Sequence, residues 1–173
     1  INSNLTESEK YQEVDLLREV TSSMETLNCK NIIFFSTIKV YGENSFDFTL
    51  IDESFPQKPE CFYGKAKAKC EILLKELSHE MKFNYLIFRM PPVLINHPKS
   101  NLGKLFQLVE KGIPIPSFKV GDINQRSFLS YDLFSHTLKV ILNKGIISSS
   151  QTFNLSDSEP ISTNDLLKRF GQS

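Results

Sequence analysis

The 173-residue chain sets 20 Lys and Arg against 20 Asp and Glu, so its formal charge is zero, and 40% of its residues are hydrophobic. That balance gives no electrostatic case for nucleic acid or an anionic membrane surface as a main partner, and the length suits one domain or a large piece of one. No apolar run approaches the length of a membrane span, and the first ten residues are polar rather than a leader sequence. Cys29, Cys61 and Cys70 lack Cys-x-x-Cys spacing and read as free thiols in a reducing, cytoplasmic compartment. His79, His97 and His136 have no metal-ligand spacing with one another or with the cysteines, so no metal is expected.

Thr6-Glu7-Ser8-Glu9 has capping-box spacing, and Val14, Leu17, Val20, Met24 and Leu27 recur at helical intervals. Together they predict a helix over residues 7–27, ended by Asn28. Residues 31–36 predict a buried strand with little alternation, as parallel strands have, and it stops at two hydroxyls, Ser36 and Thr37. A loop over 43–60, punctuated by Pro56 and Pro59, leads into a helix over 62–81 with Ile72, Leu73, Leu74 and Leu77 on its packed side. A second strand over 85–89 is stopped by Pro91-Pro92. Then come a helix over 101–111 ended by Gly112, a strand over 126–129, and a helix from the N-cap Asp132 to about residue 143. Residues 151–155 predict a last short strand, and Ser162 and Thr163 cap a terminal helix. Helices alternating with buried strands predict an α/β fold with a doubly wound parallel sheet.

The helix over 62–81 opens with Tyr63 and Lys67 four residues apart, which places a phenol and an ammonium on one face, one turn from each other. A hydroxyl at the end of the preceding strand can meet that pair across the loop. Phenol, ammonium and hydroxyl together make a proton-transfer site. Tyr-x-x-x-Lys alone has little specificity, because Lys65, Lys67, Lys69 and Lys75 also suit a solvated helix face. The longer string has more: Ser36-Thr37-x-x-Val40-Tyr41-Gly42, then Glu53-x-x-Pro56-x-x-Pro59, then Tyr63-Gly64-x-x-Lys67. These coupled spacings closely resemble the extended short-chain dehydrogenase/reductases, the NAD-dependent sugar-nucleotide epimerases and dehydratases, and among them the UDP-hexose 4-epimerases.

The resemblance implies a partial Rossmann-like sheet with part of a small substrate-binding lobe. Residues 1–95 would be the later half of an NAD(P)-binding domain, and 96–173 substrate-binding segments interleaved with the last sheet elements. It implies NAD or NADP as cofactor, with Thr37, Tyr63 and Lys67 as the catalytic set and Ser36, Tyr63, Lys67 and Pro91 beside the cofactor. A nucleotide-diphosphate sugar would be held by Asn101 and Leu102 at a helix start, by Pro114, Ile115 and Pro116 past the base, and by Arg126 on a phosphate. Tyr41 is expected to pack under the site and Arg89 to be structural. A homodimer through two helices, one bearing the tyrosine, and a role in surface polysaccharide synthesis are implied in the same way. Departures are local. Where the family usually has Asn-Val-x-Gly-Thr the chain reads Glu13-Val14-Asp15-Leu16-Leu17, and Ile38-Lys39 replace the acidic pair expected of a dehydratase, which favours an epimerase or 4-reductase.

A dinucleotide fold needs a glycine-rich turn, and no such turn occurs in the sequence. The chain is therefore expected to be the middle and later part of a longer enzyme, unable to hold NAD tightly by itself. The alternative is a non-catalytic fragment, or a binding or scaffolding relative that lacks the dinucleotide-binding half.

Overall fold

The computed structural model describes residues 12–43, 50–94, 101–113, 125–144, 149–162, 164–166 and 168. They form two compact units. The larger comprises Asn2–Met90 and Lys139–Leu155, the smaller Pro91–Leu138 and Ser156–Ser173.

The larger unit begins with α1 (Gln12–Thr26). This helix ends at Asn28, which adopts a left-handed conformation (φ 51) and donates its N–H to the Glu25 carbonyl at 3.1 Å. Cys29 N–H reaches back to Met24 O at 2.8 Å, completing a Schellman pair that satisfies carbonyls left open at a helix end. The expected capping box lies outside the described residues. Next come β1 (Asn31–Thr37), a 3-10 turn (Ile38–Tyr41), α2 (Phe62–Met81) and β2 (Asn84–Met90). After the smaller unit, β6 (Gln151–Asn154) returns to the sheet, whose order is β1-β2-β6 with all strands parallel.

Both faces of this sheet are covered, which explains the missing alternation in the sequence. Ile32, Phe34, Tyr85 and Ile87 face one core with Leu17 and Met24 of α1 and Cys70, Leu73 and Leu74 of α2. Ile33, Leu86, Phe88 and Met90 face another with Ile141 and Leu155. Helical segments on opposite sides of a parallel sheet are the doubly wound arrangement expected. One detail is corrected: Ile72 is 54% exposed, because the packed stripe of α2 runs through positions 70, 73, 74 and 77, and residue 72 falls off it.

The smaller unit holds β3 (Val93–Leu94), α3 (Asn101–Glu110), β4 (Gln125–Arg126), β5 (Leu129–Ser130), the first part of α4 (Tyr131–Lys144) and β7 (Ile161–Ser162). The strand expected over 126–129 is two short strands, since β4 pairs antiparallel with β7 while β5 pairs in parallel with β3. The N-cap of α4 is also corrected. Ser130 Oγ accepts the Leu133 N–H at 3.3 Å and donates to Asp157 at 2.9 Å, leaving Asp132 inside the first turn, where an acidic residue suits the helix dipole. At the other end Ser162 Oγ accepts the Asp165 N–H at 3.0 Å, the capping role expected of it, while Thr163 lies outside the described residues.

Leu74 is fully buried where α2 meets the sheet. Leu74→Ala is expected to lower unfolding free energy by about 2–5 kcal/mol through lost burial and an unfilled cavity, read from the midpoint of urea denaturation.

Candidate active site

In a strand-helix-strand unit the connecting helix runs opposite to its parallel strands, so the start of α2 lies at the carboxyl edge where β1 ends. Cys61 caps α2, its Sγ accepting the Gly64 N–H at 3.4 Å. Tyr63 occupies the first turn and Thr37 the last position of β1, so phenol and hydroxyl come to the same edge. Backbone packing holds those two segments together. A Cβ built on Gly64 would lie 2.6 Å from the Lys39 carbonyl oxygen and 3.2 Å from the Pro59 Cβ, so only glycine lets the helix start approach the 3-10 turn. Gly42 ends that turn at φ +115, with the Lys58 carbonyl 3.1 Å from where its Cβ would be. The glycines of the two sequence strings thus have a shared reason.

Thr37 is buried, and its Oγ1 accepts the Lys39 N–H at 3.3 Å as the cap of the turn. Among the described residues its hydroxyl proton is not committed to an acceptor, and the Tyr63 hydroxyl has no hydrogen-bond partner. Lys67 differs from its neighbours: Lys65, Lys69 and Lys75 are exposed, whereas the Lys67 side chain is only 12% exposed. Its Nζ lies 5.8 Å from the centre of the Tyr63 ring and 4.9 Å from that of Phe34. The same Nζ is 3.0 Å from Glu13 Oε1, an ion pair linking α1 to α2. The other Glu13 oxygen, Oε2, is buried without a hydrogen-bond partner. Burial first, then the charges of Glu13 and Cys61, hold the Tyr63 phenol above its ordinary pKa. A lysine beside a phenol favours the phenolate, but burial, with Glu13 second, outweighs it here.

Beneath these groups is a buried polar network. Arg89 on β2 and Glu71 on α2 form an ion pair with side chains 3% and 0% exposed. Arg89 Nη2 donates to Glu71 Oε2 at 2.7 Å and its Nε reaches both carboxylate oxygens at 3.2 Å. Glu71 also accepts from Ser36 Oγ and from Gln57 Nε2, the latter at 2.6 Å. Arg89 Nη1 donates to Tyr41 OH at 2.7 Å and to the Glu53 carbonyl at 3.2 Å. Tyr41 OH donates to Asn154 Oδ1 at 2.7 Å, and the Asn154 N–H donates to Glu53 Oε1 at 2.6 Å. Ser36 therefore satisfies the strand end with its hydroxyl, Arg89 is structural, and Tyr41 is a buried packing residue with a polar anchor.

The other candidate residues lie in the smaller unit. Pro91 is buried at its start, Asn101 and Leu102 open α3, and Arg126 ends β4 at the surface. Pro114, Ile115, Pro116 and His97 lie outside the described residues. Among those described, no cluster of three His, Cys, Asp or Glu side chains is arranged to hold a metal, and no helix is long and apolar enough to cross a membrane.

Residues 1–132 match the model of the NAD dependent epimerase/dehydratase family. The chain belongs to that family. A UDP-glucose 4-epimerase of Vibrio cholerae is 28% identical over 162 residues, which are 91% of this chain and 48% of that protein. An N-acetyl-alpha-D-glucosaminyl-diphospho-ditrans,octacis-undecaprenol 4-epimerase of Escherichia coli O157:H7 is 27% identical, over 90% of this chain and 46% of its own length. The chain thus spans about half the length of the curated relatives it matches. Among solved structures, a UDP-N-acetylglucosamine 4-epimerase from Bacillus cereus has a TM-score of 0.78 at 17% identity, covering 94% of this chain and 58% of that one. The UDP-glucuronic acid 4-epimerase of Bacillus cereus in complex with NAD has a TM-score of 0.76 at 20% identity, covering 91% and 52%. At such identities the structural likeness establishes the fold, a Rossmann-like parallel α/β sheet.

Two participants were missed in the sequence. Glu13 was noted only as a departure from the family string, since nothing local predicts a partner 54 positions away (67 − 13). Glu71 had one available signal, an acidic residue beside the apolar stripe of α2, where a buried carboxylate requires a cation. Glu71→Ala leaves the Arg89 guanidinium buried and uncompensated, so the expected loss is about 3–5 kcal/mol of unfolding free energy, read by urea denaturation. A loss below about 1 kcal/mol, the value of an exposed pair, would contradict the burial argument.

Proposed function

We propose that the chain carries the proton-transfer half of an NAD-dependent 4-epimerase acting on a nucleotide-diphosphate sugar, a UDP-hexose or UDP-N-acetylhexosamine. The carrying observation is Lys67 Nζ 5.8 Å from the ring centre of Tyr63, on a helix whose start is pressed against the turn that follows Thr37. The names of the relatives, all 4-epimerases of sugars, support the reaction class.

In this reading Tyr63 takes the proton of a sugar hydroxyl, and Thr37, whose own proton is uncommitted, donates to the same oxygen and holds it in line. Lys67 stabilises the tyrosinate and donates to ribose hydroxyls of the cofactor, with Ser36 and Pro91 flanking it. Among the described residues, uncommitted hydroxyls at Thr37 and Tyr63 and an unpartnered acceptor on Glu13 leave polar capacity that suits the polyhydroxyl part of a dinucleotide. NAD, when bound, supplies the hydride acceptor for the sugar carbon. Asn101, Leu102, Pro114, Ile115, Pro116 and Arg126 are the proposed contacts to the nucleotide diphosphate. A cytoplasmic location fits the three free cysteines, and the undecaprenol-linked sugar in one relative's name supports a step in surface polysaccharide synthesis. A homodimer fits the apolar residues that α1 and α2 leave exposed, Leu16, Val20 and Ile72. A 4-reductase is the second reading, favoured by the same proton-transfer set, and product stereochemistry separates the two.

In the intact protein, Tyr63→Phe is expected to lower turnover on its nucleotide sugar about a hundredfold or more while leaving cofactor binding near native. Steady-state kinetics beside cofactor titration reads both, and full activity in the variant would end the reading.

A further inference from the structure

We infer that Glu13 is a positioning residue for the proton-transfer group: through its ion pair it holds Lys67 beside the Tyr63 ring and sets the pH at which that phenol turns into a base. The inference rests on the reading of Tyr63 as the base and adds a residue on another helix that controls it.

The geometry distinguishes Glu13 from an ordinary surface partner. Glu13 lies at the start of α1, and its carboxylate reaches Lys67 Nζ at 3.0 Å. The Lys67 side chain is 12% exposed beside the rings of Phe34 and Tyr63 and that of Glu13 is 44% exposed, so water screens this half-buried pair less than it would two fully exposed side chains. One carboxylate oxygen is shut away from solvent with no donor, which a solvated ion pair avoids by pointing that oxygen at water. A neutral ion pair beside the phenol lets the anion and the cation oppose each other there. Removing the anion alone leaves an uncompensated ammonium next to Tyr63, and both changes favour the tyrosinate.

The other charged groups around this point are accounted for. From the 3-10 turn, Lys39 pairs with Glu43 at 3.0 Å. Glu71 is paired with Arg89. Cys61 caps the helix below Tyr63, and the Cys70 thiol is pushed up to about 11, by burial first and Glu13 second, so it stays neutral through the working range. Glu13 is the charge that raises the phenol's pKa most, Cys61 adds to it, and Lys67 is the cation over the ring.

The test uses the intact protein. Tyr63 ionisation is followed by phenolate absorbance, each variant being compared with its own Tyr63→Phe counterpart. Glu13→Gln is expected to move the Tyr63 midpoint, and the rise of the activity–pH profile, to lower pH, each unit moved multiplying the phenolate fraction at neutral pH about tenfold. Lys67→Gln is expected to move the midpoint upward, because Glu13 then faces the phenol unopposed. The double variant Glu13→Gln/Lys67→Gln should return toward the native midpoint. An unchanged midpoint in folded Glu13→Gln overturns the inference, including the case in which only the melting temperature falls, since that marks a plain α1–α2 tether. If Glu13→Gln does not fold, the double variant carries the test, and a midpoint equal to that of Lys67→Gln alone overturns it. Full turnover in Tyr63→Phe instead removes the base assignment, and it does so whether or not the midpoints move.

Discussion

The fold of the larger unit depends on one buried ion pair. Arg89 and Glu71 lie where water cannot reach them, and such a pair favours folding only if every donor and acceptor is met. Here the requirement is met by four residues from three segments: Ser36 at the end of β1, Tyr41 in the 3-10 turn, and Gln57 and Glu53 in the following loop. The polar core therefore acts as a specification of geometry. Satisfying two charges obliges a strand end, a turn and a loop to take up fixed places around α2. The strand end that Ser36 secures is the one that presents Thr37.

Above this layer lies a second, partly open set of charges. Lys67 is shared between an anion, Glu13, and two aromatic faces, Phe34 and Tyr63. The contrast between the two layers is physical. In the lower pair every side-chain nitrogen of Arg89 and both oxygens of Glu71 have a hydrogen-bond partner. The upper pair leaves one carboxylate oxygen unmet, which is a cost in an isolated fold and a capacity once a donor arrives.

Much of this was legible in the sequence, for identifiable reasons. The helix over 62–81 and the strand beginning at Asn31 were readable because their apolar residues and end signals agree, as at Asn28 with its left-handed turn. The structure gives the residues of the string from Ser36 to Lys67 mixed duties. Gly42 and Gly64 serve close backbone packing, and Val40, Tyr41 and Glu53 serve the scaffold. Ile72 misled because a run of three apolar residues cannot all fit one helical stripe. The strand over 126–129 was read as one because periodicity does not show which partner each half meets. Long-range polar pairs such as Glu13–Lys67 stay hidden, since only the fold brings α1 beside α2.

The contact at Gly64 has an evolutionary corollary. The Lys39 carbonyl, with the Pro59 side chain beside it, sits where a methyl group on Gly64 would go and sets the spacing between the start of α2 and the turn after β1. Cores drift as side chains trade volume with their neighbours, but no such trade can loosen or tighten this seam. The electrostatics around Tyr63 rest on side chains, Glu13 and Lys67, and can change while the distance across the seam stays constant. Divergence at this place is then written in charge, with shape held still.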